Sequence, residues 1–136
     1  MAIVKEGIRV NEDNSLSFGN YEVKEKFKIK DFDLDGDIYY LKTHDEVTKL
    51  TKNDILLLES VPGSAVHNFK MNNKLISFTM EGKGSTSVTM ELAPSSEYSI
   101  KLDDVRIGKA KTNMSGKLNF SVNLTNGENE IVIELA

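Results

Sequence analysis

A chain of 136 residues is long enough for one domain that buries roughly two-thirds of its unfolded surface. Its 17 basic and 21 acidic side chains give a net charge of −4, not the basic excess of a phosphate-tracking surface, so nucleic acid is not an expected partner. The absence of cysteine excludes a disulfide framework and thiolate metal sites. No apolar run reaches signal-peptide or membrane-span length, so no membrane partner is expected, and if Met1 is the natural start the protein is expected to stay in the cytoplasm.

Along the chain, Ile8, Val10 and then Leu16, Phe18 flank the polar cluster 11–14, which predicts a first hairpin. From Tyr21 to Leu34 the apolar residues alternate but change parity after Ile29, which predicts a strand with a β-bulge near Lys30-Asp31. Asp35-Gly36 is a type I′ turn signal. The register it sets places Phe32 opposite Tyr39, Asp31 opposite Tyr40 and Phe27 opposite His44. Strand 37–43 follows, and Lys52-Asn53-Asp54 turns the chain into the buried strand Ile55 to Leu58. A helical turn at 43–52 competes with strand there, because Val47 and Leu50 are three apart.

Val61-Pro62-Gly63 marks a corner and the candidate internal seam, since proline removes a ladder donor and glycine permits a sharp bend. Beyond it, Val66 to Phe69 reads as a short strand and Asn72-Asn73 as a turn. Ile76, Phe78, Met80 and then Val88, Met90, Leu92 alternate cleanly around Gly82-Lys-Gly84. Tyr98, Ile100 and Leu102 lead through Asp103-Asp104 to Val105 and Ile107. Leu118, Phe120, Val122 and Leu124 precede a turn signal at Asn126-Gly127, and Ile131, Ile133 and Leu135 finish the pattern. Hairpins at spacings of about ten residues predict an all-β antiparallel β-sandwich with almost no helix. The expected organisation is a single all-β domain over 1–136, with an immunoglobulin-like part from about 56 to 136 and N-terminal hairpins that extend or cover it.

The spacing Leu92-x-Pro94-x-x-x-Tyr98 resembles the strand entry of fibronectin type III and related immunoglobulin-like modules. That resemblance implies a tyrosine ring in the core with its hydroxyl bonded back to the loop. Together with Leu57-Leu-Glu-Ser-Val-Pro62-Gly63, the stretch from Asp103 to Gly108, and Ser115-Gly116-Lys117-Leu118 with Phe120, it is similar to the C-terminal β-sandwich accessory modules of bacterial polysaccharide-degrading enzymes. The whole chain resembles short stand-alone bacterial all-β proteins of unknown function, some of which carry the name endosialidase. Sialidases grip the substrate carboxylate with three arginines, whereas this chain has Arg9 and Arg106 and no tryptophan, so the resemblance implies fold and not that activity.

Three clusters are candidates for a site. Asp31, Asp33, Asp35 and Asp37, with Gly36, have the D-x-D-x-D-G spacing of a calcium loop, but Lys42 stands where the bidentate glutamate belongs. A hairpin turn whose aspartates are solvated and discourage edge pairing accounts for the same residues. Tyr40, Lys42 and His44 are expected on one strand face, where a ring and polar groups suit a sugar. An ordinary strand face is the competing reading. His67 has no visible ligand or nucleophile partners, Ser64 lying in no nucleophile-elbow pattern, and reads as a loop histidine beside the corner. No cofactor other than calcium is suggested, and no pair of carboxylates is singled out for glycosidase chemistry. The expectation is a non-catalytic binding or structural module for a glycan or protein partner. A small carbohydrate-active enzyme and a self-assembling homo-oligomer are the rivals.

Overall fold

The computed structural model describes residues 3–124 and 127–136, and among them there is no helix, hence none long and apolar enough to cross a membrane. Among the described residues thirteen strands form two antiparallel sheets. One sheet has seven strands. In spatial order these are β1 (Ile8–Val10), β2 (Leu16–Phe18), β7 (Ser64–Met71), β8 (Leu75–Gly82), β13 (Asn129–Leu135), β10 (Glu97–Leu102) and β11 (Val105–Lys111). The other has six: β12 (Lys117–Leu124), β9 (Gly84–Glu91), β6 (Ile55–Val61), β5 (Thr48–Lys52), β4 (Asp37–Thr43) and β3 (Phe27–Leu34).

The alternation of the sequence is the alternation of burial. Along β12, Leu118, Phe120, Val122 and Leu124 are buried while Asn119, Ser121 and Asn123 face water, because successive side chains leave a strand on opposite faces. The inward rows of both sheets make one apolar cluster that runs from Ile8 to Ile133 and lies on both sides of the Val61-Pro62-Gly63 corner. Within it Phe69 meets Phe18 edge to face at 6.0 Å and Phe78 stacked at 5.6 Å, both favourable ring arrangements.

Turn chemistry fixes the hairpins. Three two-residue loops, Asp35-Gly36, Asn53-Asp54 and Asp103-Asp104, have positive φ at both positions, the type I′ geometry whose twist matches that of the flanking strands. The bulge expected near Lys30-Asp31 is present, with Asp31 at φ 57° and the register slipping between Ile29 and Phe32. Its consequence corrects the expected pairing. Phe32 faces Tyr39 as predicted, but the bulge absorbs one residue, so Phe27 lies opposite Thr43 and not His44. A second slip between Leu50 and Thr51 accompanies the burial of three consecutive leucines, Leu56, Leu57 and Leu58.

Other expectations change as well. Tyr21 and Val23 precede the strand, which starts at Phe27, and Thr48–Lys52 is strand where a helical turn competed. Ser64–Met71 is longer than the strand expected at 66–69. Gly82-Lys83-Gly84 does not close a hairpin: β8 belongs to the seven-stranded sheet and β9 to the six-stranded one, so this short link carries the chain across the sandwich. The Val61-Pro62-Gly63 corner, with a cis peptide at Pro62, does the same between β6 and β7. The Asn126-Gly127 turn signal falls partly outside the described residues.

Candidate functional site

At one end of the sandwich the ends of both sheets separate around a cleft of about 570 Å³, within the usual range for small-ligand sites. Its floor is apolar, made by Leu16 of β2, Leu34 of β3, Tyr39 of β4, Leu57 of β6 and Phe69 of β7. Its rim is mostly polar, with Asp13, Asn14 and Ser15 from the first hairpin loop, Lys52 and Asn53 from the β5–β6 turn, Lys70 near the end of β7, and Asn72 and Asn73 from the β7–β8 turn, and the exposed side chains of Ile55 and Met71 line it too. Three loops far apart in sequence meet there because the hairpins that carry them point the same way.

Hydrogen bonds hold part of the rim in place. Asp13 Oδ1 accepts from Ser15, and Asp13 Oδ2 lies 3.0 Å from Lys70 Nζ. The Ser15 hydroxyl first, then the lysine, keep the Asp13 carboxyl far below the usual carboxylate range. Asn53 accepts from the Ile38 backbone N–H and donates to Asp37 Oδ1 at 2.8 Å. That bond, aided by the nearby Lys52 charge, lowers the pKa of Asp37. Burial raises the pKa of Tyr39, so its hydroxyl stays protonated. The side chains of Asn14 and Asn73 make no hydrogen bond to other described residues, so both offer donors and acceptors to a guest.

The aspartates singled out by spacing are distributed differently. Asp33 lies opposite the exposed Ile38 and accepts from the Gly36 N–H, whereas Asp37 lies opposite Leu34, on the inner side of the hairpin. Asp31 sits at the bulge and Asp35 in the turn, both exposed. The four are not brought together as a ligand cluster. Among the described residues, the group that combines three metal-ligating side chains is His44, Asp45 and Glu46. There, burial opposes charge on Asp45, but hydrogen bonds from Lys24 and His44 outweigh it and lower the pKa.

Tyr40 and Lys42 do share the outward face of the six-stranded sheet, Tyr40 being 37% exposed. His44 does not join them. It lies past the end of β4, buried, with its ring against Asp45 and its carbonyl packed on Gly63. His67 is a strand residue of β7 opposite Thr79, not a loop residue, and its carbonyl accepts from the Thr79 hydroxyl. Ser64 is fully buried and bonded to Ser60 and Thr48.

Sequence reasoning missed the cleft, whose lining comes from segments that no local pattern links. The available signal was the clustering of Asn and Asp in successive hairpin turns at one end of the fold. Compared with protein-family models, curated proteins and solved structures, the chain matches none of them.

Proposed function

We propose that this protein is a non-catalytic carbohydrate-binding β-sandwich module that seats a sugar in the end cleft. The observation that carries the reading is the make-up of that cleft, an apolar floor containing two aromatic rings beneath a rim of amides with free valences. A pyranose ring has the same division, with an apolar C–H face and hydroxyls around its edge, and pockets of this kind fix orientation with a few placed polar groups. Hydrolysis of a glycoside commonly needs two carboxyl groups flanking the bond. Among the described residues that line the cleft, Asp13 alone bears one, and it is committed to Ser15 and Lys70. The arrangement therefore favours binding over turnover.

An immunoglobulin-like organisation of the C-terminal part belongs to the same proposal, supported by the buried ring of Tyr98 and its hydroxyl contact with the loop before it.

The test is a thermal unfolding scan against a panel of neutral oligosaccharides, repeated with the double variant Ile55→Ser/Asn73→Ala. A ligand at a hundred times its Kd adds about 2.7 kcal/mol and moves Tm by several degrees. The expected result is a shift for the parent that the rim variant loses while keeping its own ligand-free Tm. No shift with any sugar would sink the reading.

A further inference from the structure

The outward face of the six-stranded sheet carries a row of side chains whose order emerges only from strand register. Lys28 of β3 lies directly opposite Lys42 of β4, and Lys42 directly opposite Lys49 of β5. The row continues through Glu59 of β6 and Thr89 of β9 to Asn119 of β12. All three lysines point outward because their neighbours Ile29, Leu41, Thr43, Thr48 and Leu50 pack inward. Adjacent strands are about 4.8 Å apart, so the ammonium groups stand at a regular step along a line across the sheet.

Like charges directly opposite one another on a sheet destabilise it. Glu59 lies opposite Lys49 but makes no ion pair with it, and no carboxylate stands opposite Lys28 or Lys42. Lys24, Lys52, Lys70, Lys109 and Lys117 each face a carboxylate, whereas Lys28, Lys42 and Lys49 have no ion pair or hydrogen bond with any described residue. Protection of a sheet edge accounts for Lys28, since β3 is an edge strand. It does not account for Lys42 or Lys49, whose strands are bonded on both sides. Beside the row and on the same face stands Tyr40, its exposed ring next to Thr51 and two residues before Lys42.

We propose that this face is a binding site for an acidic polysaccharide, a chain of sugars bearing carboxylates or sulfates. Its charges pair with Lys28, Lys42 and Lys49, and one sugar ring lies against Tyr40. Regularly repeated anions suit three cations at a regular step. The face offers one exposed ring, not the succession of stacking platforms used by single-stranded nucleic acid. Neither arginine is here: Arg9 pairs with Glu6, and Arg106 lies on β11 of the other sheet. None of Tyr40, Lys28, Lys42 and Lys49 lines the end cleft, so this proposal stands apart from the cleft reading.

The experiment measures binding of the whole chain to polygalacturonate, dextran sulfate, neutral dextran and oligodeoxythymidylate at low salt. The variants are Lys42→Gln, Lys49→Gln, the triple Lys28→Gln/Lys42→Gln/Lys49→Gln and Tyr40→Ala, with Lys101→Gln/Lys111→Gln on the other sheet as a control that removes positive charge elsewhere. The expected result is binding to at least one acidic glycan and none to dextran, and the arm that binds tells carboxylate from sulfate. Exposed ion pairs predict up to about fivefold weakening for each single lysine variant. The triple variant is expected to lose more than about tenfold, and the control pair nothing. Tyr40→Ala weakens binding without changing its salt dependence. With no ligand, Lys42→Gln unfolds at a higher temperature than the parent, as relief of repulsion requires.

The proposal is overturned if neither acidic glycan binds, if the control pair weakens binding as much as the row variants, or if oligodeoxythymidylate binds as tightly with Tyr40→Ala silent. It is also overturned if the cleft variant Ile55→Ser/Asn73→Ala abolishes acidic-glycan binding, whereas failure of neutral sugars to bind the cleft leaves it untouched.

Discussion

The hydroxyl of Tyr98 accepts a hydrogen bond from the backbone N–H of Ala93 at 3.2 Å, while the tyrosine ring is 2% exposed in the core between the sheets. Thr112 holds the other side of the same loop. Its hydroxyl donates to the Ala93 carbonyl at 2.6 Å and accepts from the Ser96 N–H at 2.9 Å. The entry to β10 is thus clamped from the core and from the neighbouring connection. Tyr98→Phe keeps the ring and removes the acceptor, so a loss of about 1 kcal/mol is expected from urea unfolding. Thr112→Val, which strips two bonds at a buried position, should cost more.

A buried polar chain joins the two sheets near the Pro62 corner. The Asn20 N–H donates to Thr43 Oγ1, Thr43 lies 2.8 Å from Thr48 Oγ1, and Thr48 both donates to the Ser64 carbonyl and accepts from the Ser64 N–H. Since the Thr48 proton goes to Ser64, the proton shared with Thr43 must come from Thr43, and every member is satisfied. Thr48→Val would leave both main-chain groups of Ser64 without these partners in a dry site. The expected loss is about 2 to 3 kcal/mol in urea unfolding, whereas Thr48→Ser keeps the oxygen and costs about 1 kcal/mol.

Gly63 and Gly36 differ in why they are glycine. A Cβ on Gly63 would overlap the carbonyl oxygen of His44, a main-chain atom that cannot swing aside, so Gly63→Ala should cost about 3 kcal/mol or more. A Cβ on Gly36 would meet nothing, and its φ of +87° is the sole constraint. Gly36→Ala is expected to cost about 1 kcal/mol, and Gly36→Asn less, because asparagine tolerates the left-handed region. Thermal midpoints of the three variants measure the difference.

Acid should weaken the fold through carboxylates that are more acidic when folded. The hydrogen bond from Arg9 is the main reason that the Glu6 pKa falls from 4.5 to about 2, and Lys117 similarly lowers Glu91. A pKa depressed by folding contributes stability that is complete above the unfolded value and lost as pH falls through the folded one. Tm is therefore expected to hold above about pH 5 and decline toward pH 2, with Glu6→Gln flattening part of that decline. Glu6 is fully exposed, so added salt should shrink its share.

Much of the strand pattern was readable because burial on one face imposes alternation and type I′ turns demand Asp, Asn or Gly. Asp35-Gly36, Asn53-Asp54 and Asp103-Asp104 all announce themselves. Alternation tells which residues face the core, however, and is silent about which sheet a strand joins. Gly82-Lys83-Gly84 therefore looks like a hairpin turn yet links opposite sheets. The bulge at Lys30-Asp31 was legible as a parity change, but its effect on pairing, Phe27 to Thr43, follows only once the extra residue is counted. The same gap hid the two surfaces proposed to bind ligands. Lys42 was visible as one residue of a strand face, but its alignment with Lys28 and Lys49 depends on two registers, and the cleft depends on three separate loops.

The placement of β13 bears on how the molecule is made. It is inserted between β8 and β10, strands that leave the ribosome well before it, and it bonds to both. Until it emerges, each of those strands presents an open hydrogen-bonding edge, and the apolar side chains of Ile131 and Ile133 are missing from the core between them. The nascent chain therefore passes through a stage with two complementary gaps in one sheet, during which a neighbouring polypeptide can supply the missing strand.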